Sequence, residues 1–74
     1  VFEERDAVVV DVRPFDVHGV AHVDVTVTYG DGGVQIARLG SESVPSNVEA
    51  GDRVRVRLVM RTIVEILPAI GPAP

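Results

Sequence analysis

Ala21, Val23, Val25, Val27 and Tyr29 alternate with His22, Asp24, Thr26 and Thr28. This period of two predicts a strand over 20–29 with one buried and one wet face. Gly30-Asp31-Gly32-Gly33 follows directly. Asp-Gly supplies the positive φ that tight hairpin turns need, so the next run, 34–39, is expected to pair antiparallel with the strand before it. In that run Val34 and Ile36 share a face with Arg38, while Ala37 and Leu39 take the other. The imperfect alternation predicts a bulge or bend near Ala37. Upstream, Val8, Val10 and Val12 alternate with Val9, Asp11 and Arg13. Pro14 lacks the N–H a ladder needs and is expected to end that strand or mark an edge. The stretch 14–19 then reads as a loop, with Phe15 capping the core.

Between Gly40 and Gly51 the residues are turn formers, including Ser41, Ser43, Pro45, Ser46 and Asn47. One short helical turn beginning at Ser46 or Asn47 is the most this segment supports. Arg53 to Leu67 returns to alternation: Val54, Val56, Leu58 and Met60 on one side, Arg53, Arg55, Arg57 and Arg61 on the other. Unbroken, such a strand would reach about 50 Å. That is too long for this chain, so a break is expected between Val59 and Thr62.

The expected architecture is all-β, a small five-stranded antiparallel barrel of the OB-like kind, partly open, because closure protects strand edges from pairing with other chains. Residues 1–6 read as an N-terminal extension, 7–67 as the barrel domain and 68–74 as a flexible Pro/Gly tail. Seventeen valines among 74 residues reinforce this picture, since β-branched side chains suit a pleated surface. A chain of this length has a thin core and little room to enclose a catalytic pocket. It has no cysteine, which removes disulfides and thiolate metal sites. No apolar run is long enough for a membrane helix and no leader pattern is visible, so a cytoplasmic location is expected. Starting on Val1, the chain is expected to be part of something longer.

Candidate chemistry is sparse. His18 and His22 would lie about 13 Å apart on a strand, too far to share a metal ion. Glycines 30, 32 and 33 precede a strand, whereas a phosphate loop needs a helix N-terminus. Ser41, Ser43 and Ser46 stand in no nucleophile-elbow setting. The expectation is therefore no enzyme, no metal and no cofactor. The seven basic residues are all arginine against eleven acids, a net charge of −4 that argues against a general nucleic-acid binder. Arg53, Arg55 and Arg57 form a stripe along one strand face, and Arg38 is the fourth candidate contact. Guanidinium groups make bidentate contacts with phosphates and carboxylates, so the stripe is a candidate surface for a protein partner or anionic ligand. The plainer reading has these arginines pairing across the sheet with acids such as Asp11 or Asp24.

The order of segments is also informative: Arg13-Pro14-Phe15, the strand 23–29, Gly30-Asp31-Gly32, Ile36-Ala37-Arg38-Leu39, and the run Val48-Glu49-Ala50-Gly51-Asp52-Arg53-Val54-Arg55-Val56. Over about residues 7–58 this resembles the OB-fold half of the acyl-CoA-associated family, in which a zinc ribbon and an OB-fold accompany thiolase-like enzymes. The four ribbon cysteines have no counterpart here. The resemblance implies a non-catalytic accessory domain that docks on a thiolase-like or other acyl-CoA-metabolising enzyme, with no catalytic residue to carry over. Two other readings fit a small barrel: a single-stranded nucleic-acid-binding OB-fold, which needs aromatics in a basic groove, and a small oxyanion- or ligand-binding barrel.

Overall fold

The computed structural model describes residues 2–69. Five antiparallel strands form one sheet in the order β3-β2-β1-β4-β5. They are β1 (Phe2–Val17), β2 (Val20–Tyr29), β3 (Val34–Gly40), β4 (Arg53–Val59) and β5 (Thr62–Pro68), with one 3₁₀ turn at Ser41–Ser43. The protein is all-β, as its alternation predicts. The sheet coils until β3 and β5 approach each other, but no hydrogen-bonded ladder joins them, so it is not closed into a barrel.

β1 is the hub. Its first half, Phe2 to Val8, pairs with β4, and Ala7 to Val17 pairs with β2. The handover is made by a bulge between Val9 and Asp11, where Val10 has no partner on β2. An extra residue adds local bend and twist, which lets one strand serve both halves of the coiled sheet. Gly51 and Asp52 lock the same point: Gly51 N–H donates to Val9 O, and Val9 N–H donates to Asp52 O. Gly51 has φ +97°, a conformation that L side chains rarely adopt.

Several expectations change here. Val8, Val10 and Val12 do not share a face, because the bulge flips the phase: Ala7 and Val9 are buried and Val8 and Val10 are exposed. No bulge falls near Ala37; the β2–β3 ladder runs unshifted from His22↔Gly40 to Thr28↔Val34. The second register shift lies instead between Arg57 and Leu58, opposite Val64. Residues 2–6 are paired strand rather than an extension. The expected loop at 14–19 is strand as far as Val17, and only His18-Gly19 turns. Pro14 sits opposite Val23 on a stretch of β1 already beyond the end of β4, so its missing N–H costs no ladder bond. Phe15 lies on the outer face, half-buried against His22, and does not cap the core. The helical turn forms at Ser41–Ser43, earlier than expected. The break in the long final run does fall between Val59 and Thr62. Pro68 belongs to β5, Ala69 follows it outside the strand, and 70–74 of the expected tail lie outside the described residues.

The core lies inside the coil. Val9, Val25, Val27, Val56 and Ile66 are its most deeply buried side chains, joined by Val23, Leu39, Val54, Leu58 and Ile63. Tyr29 closes one end, with the Arg5 guanidinium 3.9 Å from its ring centroid. Its hydroxyl donates to Gln35 Oε1 (2.7 Å), and Gln35 Nε2 donates to Arg61 O (2.8 Å). This relay ties β3 to the β4–β5 turn where the two edges come together without ladder bonds. No helix of the described residues is long and apolar enough to cross a membrane.

Candidate functional site

With the core facing inward, the chemistry of this chain is on the outside of the sheet. Arg53, Arg55 and Arg57 all project from the outer face of β4, as the alternation requires, but they are not equivalent. Arg57 faces Glu4 on β1 and Glu65 on β5 in register and bonds both, at 3.0 and 3.1 Å. Phe2 lies under its guanidinium at 5.4 Å. Arg55 Nε lies 3.5 Å from Asp6 Oδ1 and 3.7 Å from Glu4 Oε1, buried and without a direct hydrogen bond. Arg38 forms a fork with Asp24 across the β2–β3 ladder, at 2.9 and 3.0 Å, and covers the Phe15 ring at 4.8 Å. The bond from Arg38 holds the Asp24 carboxyl below the usual carboxylate range. Arg13 takes Asp11 at 2.8 Å.

The pairing across strands that the sequence suggested is therefore present, but the acids that meet the stripe are Glu4, Asp6 and Glu65, while Asp11 pairs with Arg13 and Asp24 with Arg38. Local alternation could not reveal them, because Glu4 and Asp6 become neighbours of β4 only through a pairing some fifty residues distant in the chain. Arg53 is the exception in the stripe. Its neighbour across β1 is Val8, and among the described residues it has no carboxylate within ion-pair distance. It lines two shallow clefts, one of about 260 Å³ with Pro45, Val48 and Pro68, the other of about 220 Å³ with Ala7, Val8 and Tyr29.

The sequence reading named no candidate among the aliphatics of the outer face. Val34 and Ile36 on β3 are 66% and 67% exposed, and Val8 and Val10 on β1 are exposed too. Thr28 sits between Val34 and Val8 in one cross-strand row, and Thr26 lies beside Ile36 in the next. The signal was present in the parity of β3: Ile36 shares a face with Arg38, and a charged neighbour marks the side that meets water.

The groups considered for catalysis or metal binding do not converge. His18 is in the β1–β2 turn. His22 stacks on Phe15 with centroids 5.6 Å apart, and its Nδ1 donates to Val20 O. Among the described residues no three His, Cys, Asp or Glu side chains are placed to hold a metal ion. Ser41 and Ser43 lie in the 3₁₀ turn, while Ser46 lines the larger cleft beside Arg53. Compared with known proteins, the chain matches no family model, no curated protein and no solved structure.

Proposed function

We propose that this domain is a non-catalytic docking module that binds a protein partner through the outer face of β1, β2 and β3. The observation that carries the reading is the row of bare aliphatic side chains, Val8, Val10, Val34 and Ile36, interleaved with Thr26 and Thr28. Exposed aliphatic side chains gathered on one face of a small domain favour an interaction surface there. The strand connectivity supports the OB-like assignment: β1 shared between β2 and β4, with β3 brought up to β5, is a five-stranded, partly open barrel in outline. A thiolase-like or other acyl-CoA-metabolising enzyme is the partner that the family resemblance implies.

The geometry supports this reading better than single-stranded nucleic-acid binding. That activity needs base-stacking aromatics over a basic groove. Here Tyr29 is buried, Phe15 is covered by Arg38 and His22, Phe2 stands alone beside Arg57, and Arg38, Arg55 and Arg57 are already engaged by carboxylates. The test is co-expression with thiolase-like enzymes followed by size-exclusion chromatography. Co-elution that Ile36→Asp abolishes is expected, since Ile36 contributes its side chain to the surface and not to the core. Elution of the wild-type domain alone from every mixture, or steeply salt-dependent retention of single-stranded DNA on filters, would remove the proposal.

A further inference from the structure

Arg53 offers more than an unpaired charge. It lines both clefts, the smaller together with residues of β1 and β2, the larger together with residues 45–52 and the end of β5. Apolar residues border both: Val8 in one, where the side chains of Ala7 and Tyr29 are themselves buried in the core, and Pro45, Val48 and Pro68 in the other. Two carboxylates also border them, Asp6 and Asp52, and each has other work. Asp6 faces Arg55, and Asp52 Oδ2 accepts the Glu49 N–H at 3.0 Å. Neither carboxylate forms an ion pair with the Arg53 guanidinium. The site thus presents one available cation bordering two clefts lined in part by apolar residues, and Val8 makes it continuous with the aliphatic face described above.

We infer that Arg53 receives a carboxylate from an extended segment of the partner, and that the two clefts receive apolar side chains on either side of that acid. This rests on the docking reading and gives the partner a chemistry. In an extended chain, residues two apart point the same way and are spaced by about 6.6 Å. The segment therefore reads apolar-x-acid-x-apolar, with Asp or Glu in the middle. Charge complementarity favours a carboxylate over a basic group, because Arg53 is the stripe's only arginine without an acid among the described residues. Planar two-point hydrogen bonding to a carboxylate is what guanidinium does best.

The probe is a displayed library of random linear twelve-residue peptides, selected on the folded domain. Enriched peptides are expected to share one acid with apolar residues two positions before and after it. Arg53→Glu should weaken those peptides at least tenfold and, in a fresh selection, turn the preference to Lys or Arg at the central position. Arg61→Asn removes a charge from a turn where Asn tolerates the positive φ, and it should leave peptide affinity unchanged. Matching thermal unfolding of wild type and both variants shows that each remains folded. A selection without binders, binders lacking an acid, or equal losses in both variants would overturn the inference. So would a concentration-dependent dimer that Arg53→Glu dissolves, because the occupant would then be a second copy. A complex with a thiolase-like enzyme that survives Arg53→Glu but not Ile36→Asp would sink this inference and leave the docking proposal standing.

Discussion

The outer face of this sheet has two halves with opposite habits. On β4 and the strands beside it, charges are spent on one another: Glu4 and Glu65 hold Arg57 from both sides, and Glu4 and Asp6 bracket Arg55. On β3, β2 and the second half of β1, the ion pairs Arg38–Asp24 and Arg13–Asp11 stand apart, and exposed aliphatic side chains with threonines between them fill the rest of the face. The connecting turns differ as well. In the β2–β3 turn Gly32 takes the left-handed conformation and Asp31 Oδ1 accepts the Gly33 N–H at 2.8 Å. The β4–β5 turn places Met60 and Arg61, neither of them glycine, at φ +51° and +70°. One half is bound together by a charge network and ends in a turn with two non-glycine residues at positive φ. The other has one such residue, His18 at φ +51° in the β1–β2 turn, and an unused surface. The first arrangement serves folding and the second leaves a face free to bind.

The sharpest way to break that contrast is to reverse the central charge of the woven half. Arg57→Glu would place three carboxylates side by side on β1, β4 and β5. Two ion pairs of up to about 1 kcal/mol each are lost and like charges then oppose one another, so urea unfolding should show a loss of about 2 kcal/mol. Arg53→Glu, with no partner to lose among the described residues, should stay within about 0.5 kcal/mol of wild type. Equal losses at the two positions would mean that the paired and unpaired arginines do not differ as described.

The turns give the next effect, of opposite sign. A left-handed conformation costs an L-residue about 1–2 kcal/mol, and Asn-Gly is the pair that two-residue hairpins favour. Replacing Met60-Arg61 by Asn-Gly should stabilise the domain by about 1 kcal/mol, seen as a higher denaturation midpoint with an unchanged slope. The Arg61 carbonyl that accepts from Gln35 is kept. An unchanged or lowered midpoint would show that the Met60 and Arg61 side chains contribute more than their backbone strain costs.

These halves were unequally legible in the sequence. β2 could be read from local pattern because one unbroken phase of alternation serves one buried face. β1 could not. Its valines occupy both parities from 8 to 10, so nothing local marks where the bulge changes the phase. Residues 2–6 carry Glu3, Glu4, Arg5 and Asp6 and no alternating apolar face. They are held in the sheet by their fit to the β4 arginines, a match that emerges only once the two segments are side by side. The break after Val59 was legible from length alone, although its turn lacks glycine. For the candidate site, parity placed Arg53, Arg55 and Arg57 on one face correctly. It could not separate the paired arginines from the unpaired one, because that distinction depends on which acids the neighbouring strands present.

Within the open half, Ile36→Asp should change stability by less than about 0.5 kcal/mol, since an exposed side chain has little burial to lose. The same substitution at Ile66, which is 2% exposed, should prevent folding, because an unpaired carboxylate cannot be buried there. A cooperative unfolding curve for Ile36→Asp beside its absence for Ile66→Asp would confirm which isoleucine belongs to the core. A large loss at Ile36 would place it under something and undo the docking surface.

The smallest effect concerns acid, and it arises in the half that carries the aliphatic face, at carboxylates beside that face. Asp24 is held below the ordinary value of 3.8, first by the hydrogen bond from Arg38, against the opposing cost of desolvation. Asp31 is lowered too, first by the Gly33 N–H and then by Arg5. A carboxyl with a folded-state pKa below its unfolded value stabilises the fold while it is ionised in both states. That contribution is present above about pH 4 and is lost as pH falls through the lowered folded-state values. Asp31 is exposed and Asp24 keeps contact with water, so the loss should be modest and should shrink further in salt. Denaturation midpoints measured from pH 7 to pH 2 should hold level at first and then fall on the acid side. In Asp24→Asn that fall should be shallower, because asparagine does not titrate and the variant has already lost the ion pair at pH 7. If the fall is equally steep in Asp24→Asn and in Asp31→Asn, acid sensitivity belongs to the woven half. The contrast between the halves would then extend to their titration as well as their packing.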